Sequence, residues 1–209
     1  MEDGKWKIWH MAIYPLFQSE YGEGWADNPT YVSEAFAFPN AGPEKTDWHY
    51  DRNELYPANE PAIPEPYVTY EKAAQNNSWK EAKMNDYEAL LHQAKRLEAL
   101  QEIRNLMGRY SYLHSAFRNK EYAELWAKRD DDRLVMPFGK FVGWEAVRHC
   151  YVDLHGDRSN PADLDELRGL MMIHLMNTEI IEVAADGKTA KGVWLSPGTE
   201  TAPQTGKEK

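Results

Sequence analysis

A single cysteine, Cys150, stands among 209 residues, which excludes an internal disulfide and any cysteine-based zinc knuckle. No apolar run approaches the ~18 residues of a membrane-spanning helix. The first residues also lack the apolar core of a secretory leader, so a soluble, cytoplasmic protein with no membrane partner is expected. Basic clusters are missing as well. With 24 Lys and Arg against 34 Asp and Glu, the net charge is -10, and a phosphate-rich partner would meet repulsion, which argues against nucleic acid. There is no Gly-x-Gly-x-x-Gly, no Walker sequence, no His-Glu-x-x-His and no Gly-x-Ser-x-Gly. Nucleotide, zinc-protease and serine-hydrolase chemistry therefore have no motif to rest on, and neither a cofactor nor a metal is expected.

What the chain has is aromatic and soft apolar surface: 8 Trp, 12 Tyr, 6 Phe and 8 Met. Such side chains suit wide, irregular cavities and interfaces better than a tight aliphatic core. The organising stretch is Leu170 to Leu195, where alternation places apolar groups on both sides of a long strand that would need cover on both. Asp186-Gly187 marks a hairpin turn, and Thr189 to Leu195 returns. Residues 1–14 end in a strand over 5–14 that completes the sheet, and residues 15–78 form a Pro-rich, aromatic excursion that wraps a surface. The main domain spans 79–196, and 197–209 reads as a tail or loop.

Within the main domain, Ser78 and Glu81 make a capping-box pattern that opens a long helix, interrupted near Gly108. Its first half is expected to project and pair with another subunit. A second helix covers about 120–128, a strand runs over Leu134 to Phe138 with a turn at Gly139-Lys140, and a helix follows from Trp144 to Leu154. Asp163 and Glu166 offer a further short helix start. Helices followed by curved antiparallel strands give an α+β class, the helices covering one concave face and leaving a hydrophobic pocket at the open end. Tyr14, Trp126, Met136, Phe138 and Trp194 are expected to line it, with Asn177 as a polar contact.

Candidate chemistry rests on imidazoles and a phenol. Tyr110 and His114 lie four apart on one inward helix face, and an imidazole is the side chain whose reference pKa, roughly 6.5, lies near working pH. His174 sits between Met172 and Met176 on one strand face, and His10 shares a face with Trp6 and Ile8; each must find a partner or face a cavity. Asp130, Asp131 and Asp132 read as a solvated loop, and the spacing of His149 and His155 does not bring both to one helix face.

Ile103 to Tyr110, Tyr122 to Trp126, Phe138 to Val147 and the hairpin His174 to Trp194 together resemble the SnoaL-like branch of the nuclear transport factor 2-like (NTF2-like) superfamily, over about residues 98–196. Glu2 to His10 resembles that family's last strand and Pro57 to Tyr70 the tail after it, so the order looks circularly permuted. One family strand is not found: either a second chain or a further segment supplies it, or the strand over 5–14 is simply where the chain begins. The resemblance implies a cone-shaped curved antiparallel sheet packed by helices, a homo-oligomer, and a hydrophobic small-molecule ligand. It implies a cofactor-independent lyase (dehydratase) or isomerase acting on a cyclic or aromatic compound, or else a non-catalytic binding or assembly subunit. In the dehydratases a tyrosine and an aspartate of the first helix work with a strand histidine. Tyr110 matches the tyrosine, the aspartate position falls on Ser115 or His114, and His174 and Asn177 take the two family histidine positions. The His-Asp pair of that branch is thus missing.

Overall fold

The computed structural model describes residues 1–14, 19, 22, 41–42, 63–73, 85–136, 139–160 and 168–201. In chain order these form β1 (His10–Ala12), β2 (Ala41–Gly42), α1 (Tyr70–Ala73), α2 (Asp86–Ser115), α3 (Asn119–Ala123), β3 (Arg133–Met136), β4 (Gly139–Val142), α4 (Trp144–Arg148), a π-helical turn (His149–Leu154), β5 (Met172–His174), β6 (Asn177–Val183), β7 (Ala190–Leu195) and β8 (Gly198–Glu200). The class is α+β. Two compact units divide the chain: Met1–Lys7, Ala62–Leu125 and Asp157–Lys209 make the first, Ile8–Pro61 and Trp126–Gly156 the second. Most of the wrapping excursion, both the Ser78–Glu81 and Asp163–Glu166 capping patterns, and Phe138 lie outside the described residues.

In the first unit α2 begins at an Asn85 cap: Asn85 Oδ1 accepts from the Glu88 amide at 2.9 Å while the Glu88 carboxylate accepts from the Asn85 amide. Such a box contributes roughly 0.5–2 kcal/mol to the helix. The helix runs unbroken through Gly108, so the interruption expected there does not occur. Its buried positions, Ala99, Ile103, Met107, Tyr110 and His114, recur at three and four residues and make one stripe. Ala99 and Ile103 close on Val183 of β6, with Trp6, Leu100, Ile181, Ala190 and Trp194 around them. Arg104 pairs with Glu179 at 2.9 Å along the flank. Nearer the helix start, Tyr87, Leu90 and Leu97 are exposed.

The long strand expected from Leu170 is broken in two. Strand β5 stops at His174 and pairs antiparallel with β8, whereas β6 starts at Asn177 and pairs antiparallel with β7. Thr178 takes φ 49°, and the register shifts between Asn177 and Ile180, as a bulge requires. Only one face of β5 is covered. Met172 and His174 are half-buried, but Met171, Ile173 and Leu175 are exposed, so cover on both sides is not realised. The segment after Ser196, read from sequence as a tail or loop, contributes β8. Asp186-Gly187 does turn the β6–β7 hairpin, and Tyr67 is laid against that turn: the Ala185 amide donates to the Tyr67 carbonyl at 3.0 Å and the Lys191 ammonium lies 4.7 Å from the Tyr67 ring centre.

In the second unit the strand order is β1-β3-β4-β2. Strand β1 runs parallel to β3, His10 opposite Arg133 and Ala12 opposite Val135; this pair departs from the all-antiparallel expectation. Strands β3 and β4 pair antiparallel with Met136 opposite Gly139, so Gly139-Lys140 belongs to the returning strand and not to the turn. Helix α3 ends at Ala123, earlier than the expected helix to residue 128, and Trp126 instead makes a parallel bridge with Ile8. Trp126, Leu134, Phe141, Val147, Cys150 and Tyr151 are fully buried and form the core of this unit. Burial pushes the Cys150 thiol up to about 12. Cys150 is therefore expected to resist a thiol reagent such as dithionitrobenzoate at neutral pH and to react stoichiometrically once urea unfolds the chain; stoichiometric labelling of the folded protein would contradict this.

Candidate functional site

The cluster begins at the C-terminal end of α2, where Tyr110 and His114 share its buried stripe, ring centres 6.1 Å apart. The chain then turns sharply. Phe117 takes φ 54°, its amide donating to the His114 carbonyl at 3.0 Å and the Arg118 amide to the Leu113 carbonyl at 2.9 Å. A bulky residue in this left-handed region costs about 1–2 kcal/mol. The burial of the Phe117 ring offsets it.

This corner sends the chain into α3 and returns Asn119 to the helix it left, with Asn119 Oδ1 3.2 Å from His114 Nδ1. Helix α3 has no side-chain cap of its own from Arg118. Asp157 supplies one from a distance: its Oδ1 accepts from the Lys120 amide at 2.9 Å, and its other oxygen pairs with the Lys120 ammonium at 3.4 Å. Burial acts to raise the Asp157 pKa, but hydrogen bonds from the Lys120 amide, the Ser159 hydroxyl and the Lys120 side chain outweigh it and hold the carboxyl below its ordinary range. A lowered carboxyl pKa stabilises the fold above the unfolded value of about 3.9 and is lost as pH falls through the folded value. Asp157→Asn is expected to lower the urea midpoint at pH 7 and to flatten its decline below about pH 4. An unchanged acid limb would contradict the assignment.

Anchored this way, α3 presents Tyr122 to the same spot. Its ring lies 4.9 Å from Tyr110, edge-on, and 5.6 Å from His114. His174 arrives from β5, its imidazole stacked on His114 at 5.8 Å, and the Ser111 hydroxyl donates to the His174 carbonyl. His174 Nε2 meets Glu200 Oε1 at 2.9 Å. Burial is graded across the group: Tyr110, His114, Asn119 and Tyr122 are buried, whereas the His174 side chain is 29% and that of Glu200 59% exposed.

With Asn119 Oδ1 accepting, the proton of a neutral His114 sits on Nδ1, and Nε2 is its basic nitrogen. The pattern is that of a base oriented by a third group. Two phenols beside it are donors suited to a developing oxyanion.

Of the residues singled out from the sequence, Tyr110, His114 and His174 come together. His10 belongs to the second unit, on an exposed strand edge, where its Nε2 meets the Asp131 carbonyl at 3.1 Å and its ring lies 4.4 Å from Trp9. Partial burial is the main cause holding its pKa below the ordinary imidazole value. The acidic run beside it is not simply solvated: Asp131 accepts from Trp9 Nε1 at 3.1 Å and from Arg129 Nε at 2.9 Å, and Asp132 is buried. His149 pairs with Asp153 at 2.7 Å and His155 Nδ1 donates to the Cys150 carbonyl at 2.8 Å. No group of three metal-ligating side chains occurs among the described residues.

Of the expected pocket residues, Trp126 and Met136 are buried in the second unit, and Tyr14 of that unit is 44% exposed. Trp194 packs on the α2 cluster of the first unit, its indole laid over Gly192, where a Cβ would stand 2.3 Å from the ring. Asn177 is exposed at the start of β6. Sequence reasoning missed Asn119 and Glu200. Neither stands at a helical or strand spacing from the histidine it serves, and only the Phe117 corner and the β5–β8 pairing bring them there.

Among the described residues no helix is long and apolar enough to cross a membrane. No curated protein matches the chain. The model of the SnoaL-like domain matches residues 95–208, which is over half of the chain and includes every member of the cluster. The chain therefore belongs to the SnoaL-like domain family of the NTF2-like superfamily, with its α+β fold.

Proposed function

We propose that this protein binds an apolar cyclic or aromatic small molecule and catalyses its dehydration or isomerisation by acid–base chemistry, without a cofactor. Family membership supports the coarser statement, a small-molecule-binding or cyclase/isomerase-type role. The observation that carries the finer reading is His114: a buried imidazole held through Nδ1 by Asn119 and ringed by Tyr110, Tyr122 and His174.

His114 Nε2 takes the proton from the carbon next to a ring carbonyl, and the electron pair moves onto the carbonyl oxygen, where the Tyr110 phenol donates to it. In a dehydration the enolate then expels a β-hydroxyl, which leaves as water with the proton returned by His114. In an isomerisation the same proton returns to a different carbon. Electrons balance in both without an oxidant or reductant.

A panel of cyclic β-hydroxy ketones, followed by the absorbance of the conjugated enone, tests the reading. Turnover of at least one member is expected; neither turnover nor binding of any member would overturn it. One observation favours a second reading, a non-catalytic binding or assembly subunit: Tyr110, His114, Asn119 and Tyr122 are all buried. Binding of a panel member with no conversion is the outcome that selects it.

A further inference from the structure

The start of α2 is built inside out. A helix lying on a domain ordinarily turns its apolar stripe inward and its polar side to water, and from Ala99 to His114 α2 does so. Before Ala99 the order reverses. The side chains that reach the β6–β7 hairpin are polar and half-buried: His92 Nε2 donates to the Ala185 carbonyl at 2.7 Å, and the Arg96 guanidinium pairs with Glu182 at 3.9 Å. The large apolar side chains face away. Tyr87 is 74%, Leu90 65% and Leu97 67% exposed, and Leu91 is exposed beside them. Single exposed leucines are ordinary, but four large apolar groups gathered on one side of so short a stretch mark an interaction surface.

We propose that this face pairs antiparallel with the same face of a second copy of the chain. Tyr87, Leu90, Ala94 and Leu97 recur at three and four residues, the repeat of a helix–helix seam. The seam then stops, because Gln101, Arg104 and Gly108 take the next positions of the repeat. Read backwards, the pattern is its own complement, as a two-fold interface requires. An axis beside Leu91 and His92 sets Tyr87 against Leu97 of the second copy and Leu90 against Ala94, whose small side chain lets the helices close. Leu91 meets its own counterpart at the axis. Beyond it on the same flank, Glu88 of one copy comes level with Lys95 of the other, so unlike charges match twice, whereas a parallel pairing brings like to like. Closing these side chains on both partners hides roughly 1,000 Å² in total, the low end for a specific interface, so association in the micromolar range is expected. None of these residues belongs to the Tyr110–His114 cluster, and the proposal stands apart from the acid–base reading.

Sedimentation velocity of the full chain between about 1 and 200 µM tests the association. The mass is expected to rise from one copy toward two across that range. Leu90→Lys, at a side chain exposed enough for the fold to tolerate it, is expected to weaken association by about a hundredfold or more, since each copy then buries a charge in the seam. Cysteine substitution reads the orientation. Cys150 is buried, which leaves an introduced thiol as the reactive one. Leu91→Cys is expected to give a disulfide-linked dimer on mild oxidation. Gln101→Cys, exposed on the same side of the helix, is expected to stay unlinked, because the antiparallel arrangement holds its two copies roughly 27 Å apart along the axis. A mass that stays at one copy throughout, a rise in mass that Leu90→Lys leaves untouched, or cross-linking at residue 101 as ready as at residue 91 would overturn the proposal.

Discussion

Replacing His114 by glutamine is expected to slow turnover of any substrate found in the ketone panel by about 10²- to 10⁴-fold, the contribution of a positioned general acid–base group. Glutamine preserves much of the volume and can still reach Asn119 Oδ1 with an amide hydrogen, but it has no lone pair of useful basicity. The loss should fall on kcat more than on KM, because the proton transfer is felt in the transition state. Asn119→Leu should follow in the same direction. Its amide oxygen sets which nitrogen of His114 is basic, and its removal leaves a buried imidazole N–H without that acceptor. Initial rates of the two variants, with circular dichroism to confirm folding, check both. Rates equal to wild type in His114→Gln would show that the imidazole is packing alone.

The second large effect concerns stability. Trp126 is 0% exposed in the core of the second unit, its ring 6.3 Å from Tyr151. Trp126→Ala removes its full side-chain contact surface and is expected to cost about 3–5 kcal/mol. The indole Nε1–H, however, finds no acceptor among the described residues. A desolvated donor of that kind is itself unfavourable by about 1–3 kcal/mol. Trp126→Phe, which keeps an aromatic ring and deletes the donor, should therefore cost far less than the alanine variant. Urea midpoints at constant m-value separate the two. Equal losses in both variants would mean that the indole nitrogen makes a bond that matters.

How much of this was legible in the residues differs from element to element. The stripe Ile103, Met107, Tyr110, His114 declares itself, because helical spacing is a local property and α2 obeys it to its last turn. The start of that helix did not. Ser78-x-x-Glu81 and Asn85-x-x-Glu88 are alike as sequences, and only the hydrogen bonds identify the cap at Asn85. Asn119 was invisible because it meets His114 through a left-handed Phe117, and no propensity favours a phenylalanine there. Glu200 was invisible for a different reason: Gly198, Thr199 and Glu200 are all exposed, so β8 carries no apolar alternation and exists only through its pairing with β5. The long strand looked continuous because the β-pattern persists across Leu175 and Met176, where the backbone leaves the ladder. His10 followed a face shared with Ile8 in the sequence, yet Ile8 is buried and His10 exposed; the bridge at Ile8 and the strand from His10 pair with different segments, Trp126 and Arg133.

That Tyr110 and His114 act on one substrate as a unit is tested most directly by a double-variant cycle on kcat/KM. Groups serving a single step are strongly non-additive. Tyr110→Phe and His114→Gln should each slow the reaction, and the combined variant should be scarcely slower than the worse of the two. Independent effects, with the double variant slowed by the product of the single losses, would contradict a shared acid–base site.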